Sequence, residues 1–178
     1  MEAAQKVRVA VRVRPPLQSD IGKEQCVTCH PDHRQLTLDL EQAMTGQWQM
    51  RGVRSFAFDS VCGPETTQEE FFTSSGVHEM LDAALDGYTA TIFAYGQTGS
   101  GKTYTVSGAA AGRAGTTAAQ ASLASPETAG LMQRAASYLY AGMGQRPDVK
   151  YTVRTTFLEI YNEQVCLGSS VALILADV

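Results

Sequence analysis

The sequence predicts an α/β fold, a mostly parallel central sheet with helices on both faces in three layers. Three observations carry this expectation. Val7, Val9, Val11 and Val13 are apolar at period two with Arg8, Arg12 and Arg14 interleaved, the pattern of a strand, and Pro15-Pro16 stops it. Thr89 to Tyr95 is a short, nearly continuous apolar run, as in a parallel strand buried on both faces. Between them lies a helical stripe, so that strand, helix and strand alternate.

Taken in order, the first strand spans Val7 to Val13. The stretch around Cys26 to Cys29 reads as a short strand and turn. Leu36, Leu38 and Leu40 alternate within Gln35 to Leu40, and Val53, Phe56, Phe58 and Val61 mark the run Val53 to Val61; both predict small peripheral strands. Thr66 or Thr67, followed three residues later by Glu69 or Glu70, is a capping box and predicts a helix start. Phe72, Val77, Met80, Leu81, Ala84 and Leu85 form the buried stripe of that helix, and Gly87 supplies its left-handed stop. Ser107 to Ser125 is mostly Ala, Gly, Ser and Thr and reads as a long surface loop. Ser125-Pro126-Glu127 predicts a second helix start, with Leu131, Ala135, Tyr138 and Leu139 on its buried face and Gly142 and Gly144 at its end. Val149 to Val165 returns to strand character, its strand proper being placed at Tyr151 to Tyr161.

Composition narrows the function classes. At 178 residues the chain is long enough for one domain with its own core. Hydrophobic residues at 44% against charged residues at 18% exclude wholesale disorder. Fourteen Lys plus Arg against eighteen Asp plus Glu give a net charge of -4, so no global positive field exists to hold nucleic acid or an anionic membrane. The longest apolar run, Val171 to Ala176, is far short of the ~20 residues that cross a bilayer. The N-terminus has no signal-peptide stretch, and the expectation is a cytoplasmic protein with neither nucleic-acid nor membrane partners. Cys26-Val27-Thr28-Cys29-His30 fits a C-x-x-C-H haem-attachment pattern, with His33 nearby. Haem attachment of that kind belongs to exported proteins, and these ligands are too crowded for a zinc tetrahedron, so the cluster is read as structural.

The motif that carries chemistry is Gly96-Gln97-Thr98-Gly99-Ser100-Gly101-Lys102-Thr103, a complete G-x-x-x-x-G-K-[ST] phosphate loop after an apolar run and before a helix start. Its glycines let successive backbone N–H groups curl inward around a phosphate. Lys102 is the residue to reach the β- and γ-phosphates, and Thr103 the one to offer its hydroxyl to Mg²⁺.

The run Thr91 to Thr105 resembles the phosphate loop of the kinesin motor domain almost without substitution. Further segments follow the family's order. Arg12-Val13-Arg14-Pro15 resembles its R-x-R-P segment, Phe56-Ala57-Phe58-Asp59-Ser60-Val61 with Thr67-Gln68 its next signature, and Glu159-Ile160-Tyr161-Asn162-Glu163 a later strand. The resemblance implies a phosphate-loop NTPase fold of kinesin type and ATP with Mg²⁺ as ligands. It further implies that Arg14 and Pro15 border the base, that Tyr104 stacks on it, and that Gln97 to Thr103 wrap the phosphates. The loop 107–125 stands where the family carries a variable insertion.

The resemblance spans Val7 to Val165. Residues 1–165 therefore read as a partial motor domain and 166–178 as a divergent tail. The family's switch segments, microtubule-binding elements and neck have no counterpart in these residues, so the sheet is expected to be incomplete, with exposed apolar patches. No catalytic residue is assigned. The implied function is that of an ATP-binding microtubule motor in the cytoskeleton, with a non-motor nucleotide-binding or interaction fragment, or an incomplete gene product, as alternatives.

Overall fold

The computed structural model describes residues 7–23, 25–30, 32–39, 52–109, 125–156, 158–161, 163–167 and 173–174. The chain divides into two compact units, Met1–Ala136 and Ser137–Val178.

In the first unit, β1 (Ala10–Arg12) pairs in parallel with β5 (Ser60–Cys62), with Val11 opposite Val61. The Val13 N–H continues the ladder to the Cys62 carbonyl at 2.8 Å. A second sheet is antiparallel: β3 (Gln35–Asp39) lies between β2 (Val27–Cys29) and β4 (Val53–Ala57). The short strand and turn expected at the cysteines are thus present, and His33, at φ 53°, sits in the turn. The two sheets are tied by Val61 N–H to the His33 carbonyl, while Phe58 N–H to the Arg34 carbonyl extends the β3–β4 ladder by one rung. The run expected as one strand from Val53 to Val61 is two, because Asp59 turns away to accept the Val9 N–H on its carboxylate.

The first helix begins where its capping box predicts. Thr67 Oγ1 accepts the Glu70 N–H at 3.2 Å while Glu70 Oε2 accepts the Thr67 N–H at 2.8 Å. The single helix expected up to Gly87 is broken into α1 (Gln68–Ser74) and α2 (Val77–Leu85). The break is at Gly76, whose φ of 82° is left-handed and whose open side is filled by the Arg8 side chain. Beyond it α2 closes as predicted at Gly87, with Tyr88 N–H on the Ala83 carbonyl and Gly87 N–H on the Ala84 carbonyl. Val61, Cys62, Phe71, Phe72, Val77 and Leu81 are buried, so β5 and the inner faces of both helices form the core.

Thr89 to Tyr95 differs most from its expectation. Among the described residues it pairs with no strand and makes no backbone–backbone hydrogen bond. Its side chains are exposed, Phe93 to 79% and Tyr95 to 94%. A strand buried on both faces needs neighbours on both edges and cover above and below; the described residues supply neither here. Among the described residues the parallel pair is β1 with β5, and neither 89–95 nor 151–161, expected as further strands of the same sheet, joins it. A small parallel sheet with helices is compatible with a phosphate-loop NTPase fold, but incomplete.

Helix α3 (Lys102–Ser107) follows, and α4 (Leu131–Gly144) starts five residues after the expected Pro126, because Pro126 to Thr128 form a turn. Most of the expected surface loop 107–125 lies outside the described residues. In the second unit, the expected single strand is two short ones in antiparallel pairs. β6 (Val153–Arg154) pairs with β9 (Leu173–Ile174), and β7 (Leu158–Tyr161) forms a hairpin with β8 (Gln164–Leu167). The hairpin turns at Glu163, at φ 61°. Part of the segment expected as a divergent tail, 173–174, thus pairs with the preceding chain.

Candidate nucleotide site

The glycines of the loop 96–103 bend the chain where no side chain is easily accommodated. Gly99 has φ 78°, and Gly101, the residue preceding α3, has φ 102°. A residue with Cβ is strained in this region, which is why the helix can begin directly at Lys102. The Lys102 ammonium curls back over the loop and donates to the Gly96 carbonyl at 2.8 Å and the Gln97 carbonyl at 2.9 Å. The Ser100 N–H closes the turn onto the Gln97 carbonyl at 3.1 Å. Thr103 is exposed in the first turn of α3, and its hydroxyl has no hydrogen-bond partner among the described residues. One free hydroxyl suits Mg²⁺, which usually takes few protein ligands and completes its octahedron with phosphate oxygens and water. Among the described residues no three His, Cys, Asp or Glu side chains converge on a metal position.

Tyr104 stands next on α3, a residue 46% exposed. The guanidinium of Arg12, at the end of β1, lies over the Tyr104 ring at 5.2 Å and over the Phe71 ring at 4.9 Å. It donates to Gln68 Oε1 at 2.8 Å, to Thr105 Oγ1 at 3.2 Å and to the Thr66 carbonyl at 3.1 Å. Burial lowers the Arg12 pKa from its usual value, while the Tyr104 and Cys62 side chains oppose that shift. Gln68, only 2% exposed, also donates from Nε2 to the Tyr104 carbonyl at 2.7 Å. The far end of α3 is held too: Gln133 Nε2 donates to the Ser107 carbonyl at 2.9 Å.

Arg14 is turned elsewhere. It donates to Asp20 Oδ2 at 2.8 Å and to the Pro15 carbonyl at 2.9 Å, and Pro15 is exposed beside it. Asp20 is held at a pKa of about 2, first by the Leu17 N–H it accepts and then by Arg14. The structure therefore brings Gly96 to Tyr104 together on one loop and helix and joins them to β1 through Arg12. Arg14 and Pro15 follow β1 directly but belong to a separate polar cluster. Sequence reasoning missed Gln68 as a structural partner of the loop, since a polar residue at the first position of a helix carries no periodic signal. Arg12 was legible as a member of an alternating strand and of the R-x-R-P segment, but not as a partner of Gln68 and Tyr104.

The kinesin motor domain family matches residues 12–167 of this sequence. The chain belongs to the kinesin family. Its relatives include the protein claret segregational of Drosophila melanogaster, 34% identical over 92% of this chain and 21% of that protein. The chromosome-associated kinesin KIF4A of Homo sapiens is 34% identical over 89% of this chain and 11% of its own length. The kinesin-like protein KIN-14K of Arabidopsis thaliana is 38% identical over 89% and 15% respectively. The chain spans about a fifth or less of the length of these relatives. Kinesin motor domains bind nucleotide with Mg²⁺ and have a phosphate-loop NTPase fold. Among the described residues no helix is long and apolar enough to cross a membrane.

Proposed function

We propose that this chain is the nucleotide-binding part of a kinesin-type ATPase that moves along microtubules in the cytoskeleton. The observation that carries this reading is the phosphate loop 96–103, with left-handed turns at Gly99 and Gly101 and Lys102 leading directly into α3. In this reading residues 1–165 are part of one motor domain with a three-layer, mostly parallel sheet, and 166–178 diverge from it. Backbone N–H groups of Gln97 to Thr103 hold the phosphates of ATP, Lys102 exchanges its two loop carbonyls for phosphate oxygens, and Thr103 contributes to Mg²⁺. Arg14, Pro15 and Tyr104 border the base, Tyr104 offering the exposed part of its ring. The test is the affinity of the 178-residue chain for a fluorescent Mg-ADP, with Lys102→Ala expected to abolish binding. Unchanged binding in that variant overturns the site.

A second reading, in which these 178 residues bind nucleotide without motor activity, is favoured by the net charge of -4, which opposes docking on an acidic track. It predicts phosphate release that polymerised tubulin does not stimulate. Stimulated release that disappears in Lys102→Ala would exclude it.

A further inference from the structure

We propose that Gln68 is a positioning residue for the phosphate loop, its buried carboxamide holding α3 against the start of α1 and the end of β1. Both halves of the amide are used. Oε1 accepts from Arg12 Nη1 at 2.8 Å, and Nε2 donates to the Tyr104 carbonyl at 2.7 Å. That carbonyl already accepts the Gly108 N–H at 3.0 Å, so Gln68 occupies the second lone pair of an oxygen built into α3.

The placement is specific to a carboxamide. A glutamine offers an acceptor and a donor on one planar group, which suits a cation on one side and a carbonyl on the other. Gln68 is 2% exposed, so neither polar atom can fall back on bulk water if its partner moves. The capping box fixes Gln68 from behind, since Thr67 and Glu70 lock the first turn of α1 on which it stands. A direct route from the anchored end of α1 to the loop is therefore Gln68, the Tyr104 carbonyl, and about half a turn of α3 back to Lys102. The functional half of this inference rests on the nucleotide reading of 96–103; the clamp itself does not.

Two variants of the full chain separate its arms. Gln68→Met removes both hydrogen bonds in a side chain of similar length. Gln68→Glu keeps an acceptor for Arg12 but, when ionised, brings no N–H to the Tyr104 carbonyl, and it carries the test should the Met variant fail to fold. Backbone amide exchange is followed without nucleotide at Thr105 and Gly108, with α2 as the internal reference. Fluorescent Mg-ADP binding is measured alongside. Both variants are expected to exchange at least ~10-fold faster in α3 at unchanged rates in α2, and to bind Mg-ADP at least ~10-fold more weakly, since losing a buried polar partner has consequences of this order. Equal acceleration in α2 and α3 would show a general structural role and overturn the proposal, as would exchange and binding like those of the parent chain. Parent chain that binds no nucleotide would overturn the nucleotide reading and the functional half of this one, while exchange still decides whether the clamp exists.

Discussion

Arg12→Met is the substitution whose cost the structure specifies most closely. Methionine keeps an apolar stem of comparable length and removes the guanidinium with its three hydrogen bonds to Gln68, Thr105 and Thr66. The three acceptors fare differently. Thr66 and Thr105 are partly exposed and regain water, so their share is small. Gln68 is 2% exposed, and its orphaned Oε1 costs about 1–3 kcal/mol. The two aromatic contacts, with Phe71 and Tyr104, are worth about 0.5–1 kcal/mol each. The sum is about 2–5 kcal/mol, a large part of the 5–15 kcal/mol by which a typical domain is stable. At a urea slope of about 2 kcal/mol per molar the unfolding midpoint should fall by roughly 1–2.5 M. Far-UV circular dichroism against urea reads this directly. A midpoint within ~0.3 M of the parent, small beside that expected fall, would refute the reasoning and show a guanidinium that is solvated.

Thr67→Ala removes the cap oxygen of α1 and should cost about 1 kcal/mol, with Thr67→Ser recovering most of it; equal losses in the two variants would place the effect elsewhere. Asp20 gives a pH-dependent case. Its folded-state pKa of about 2 lies below the ordinary 3.8, so the unfolded chain takes up the proton first as the solution is acidified. The contribution is complete above the ordinary value and is lost as pH falls through the folded one. The urea midpoints of the parent and Asp20→Asn should differ at neutral pH and converge near pH 2, and a gap that persists there would refute the assignment.

Local chemistry was the most legible part of this fold. The capping box at Thr67 and Glu70, the Gly87 stop and the phosphate loop each declare themselves within a few residues, because each is a contest between backbone groups and the nearest side chains. What the sequence hid depends on partners far along the chain. The apolar run 89–95 looks buried by composition, yet burial is a property of the neighbours it finds, and among the described residues it finds none. The break at Gly76 falls in the five-residue step from Phe72 to Val77, a phase slip easily passed over in a run of apolar residues otherwise at helical spacing. Of the candidate site, the loop was readable and its attachment was not: Arg12 and Gln68 stand 56 positions apart, and no spacing rule joins them.

The packing of Arg8 against Gly76 also limits how this chain can vary. Arg8 fills the volume that any Cβ at position 76 would claim, and its guanidinium is fixed by Glu79 at 3.1 Å. A change at 76 meets first the left-handed backbone and then the outer part of the Arg8 side chain. That side chain is partly exposed and can swing aside if it gives up Glu79, so trimming residue 8 leaves the larger barrier in place. Because the two positions share this contact, substitutions at 8 and 76 are expected to be non-additive. The hinge between α1 and α2 is thus encoded chiefly by its own left-handed glycine, with Arg8 and Glu79 tying it to the stretch leading into β1.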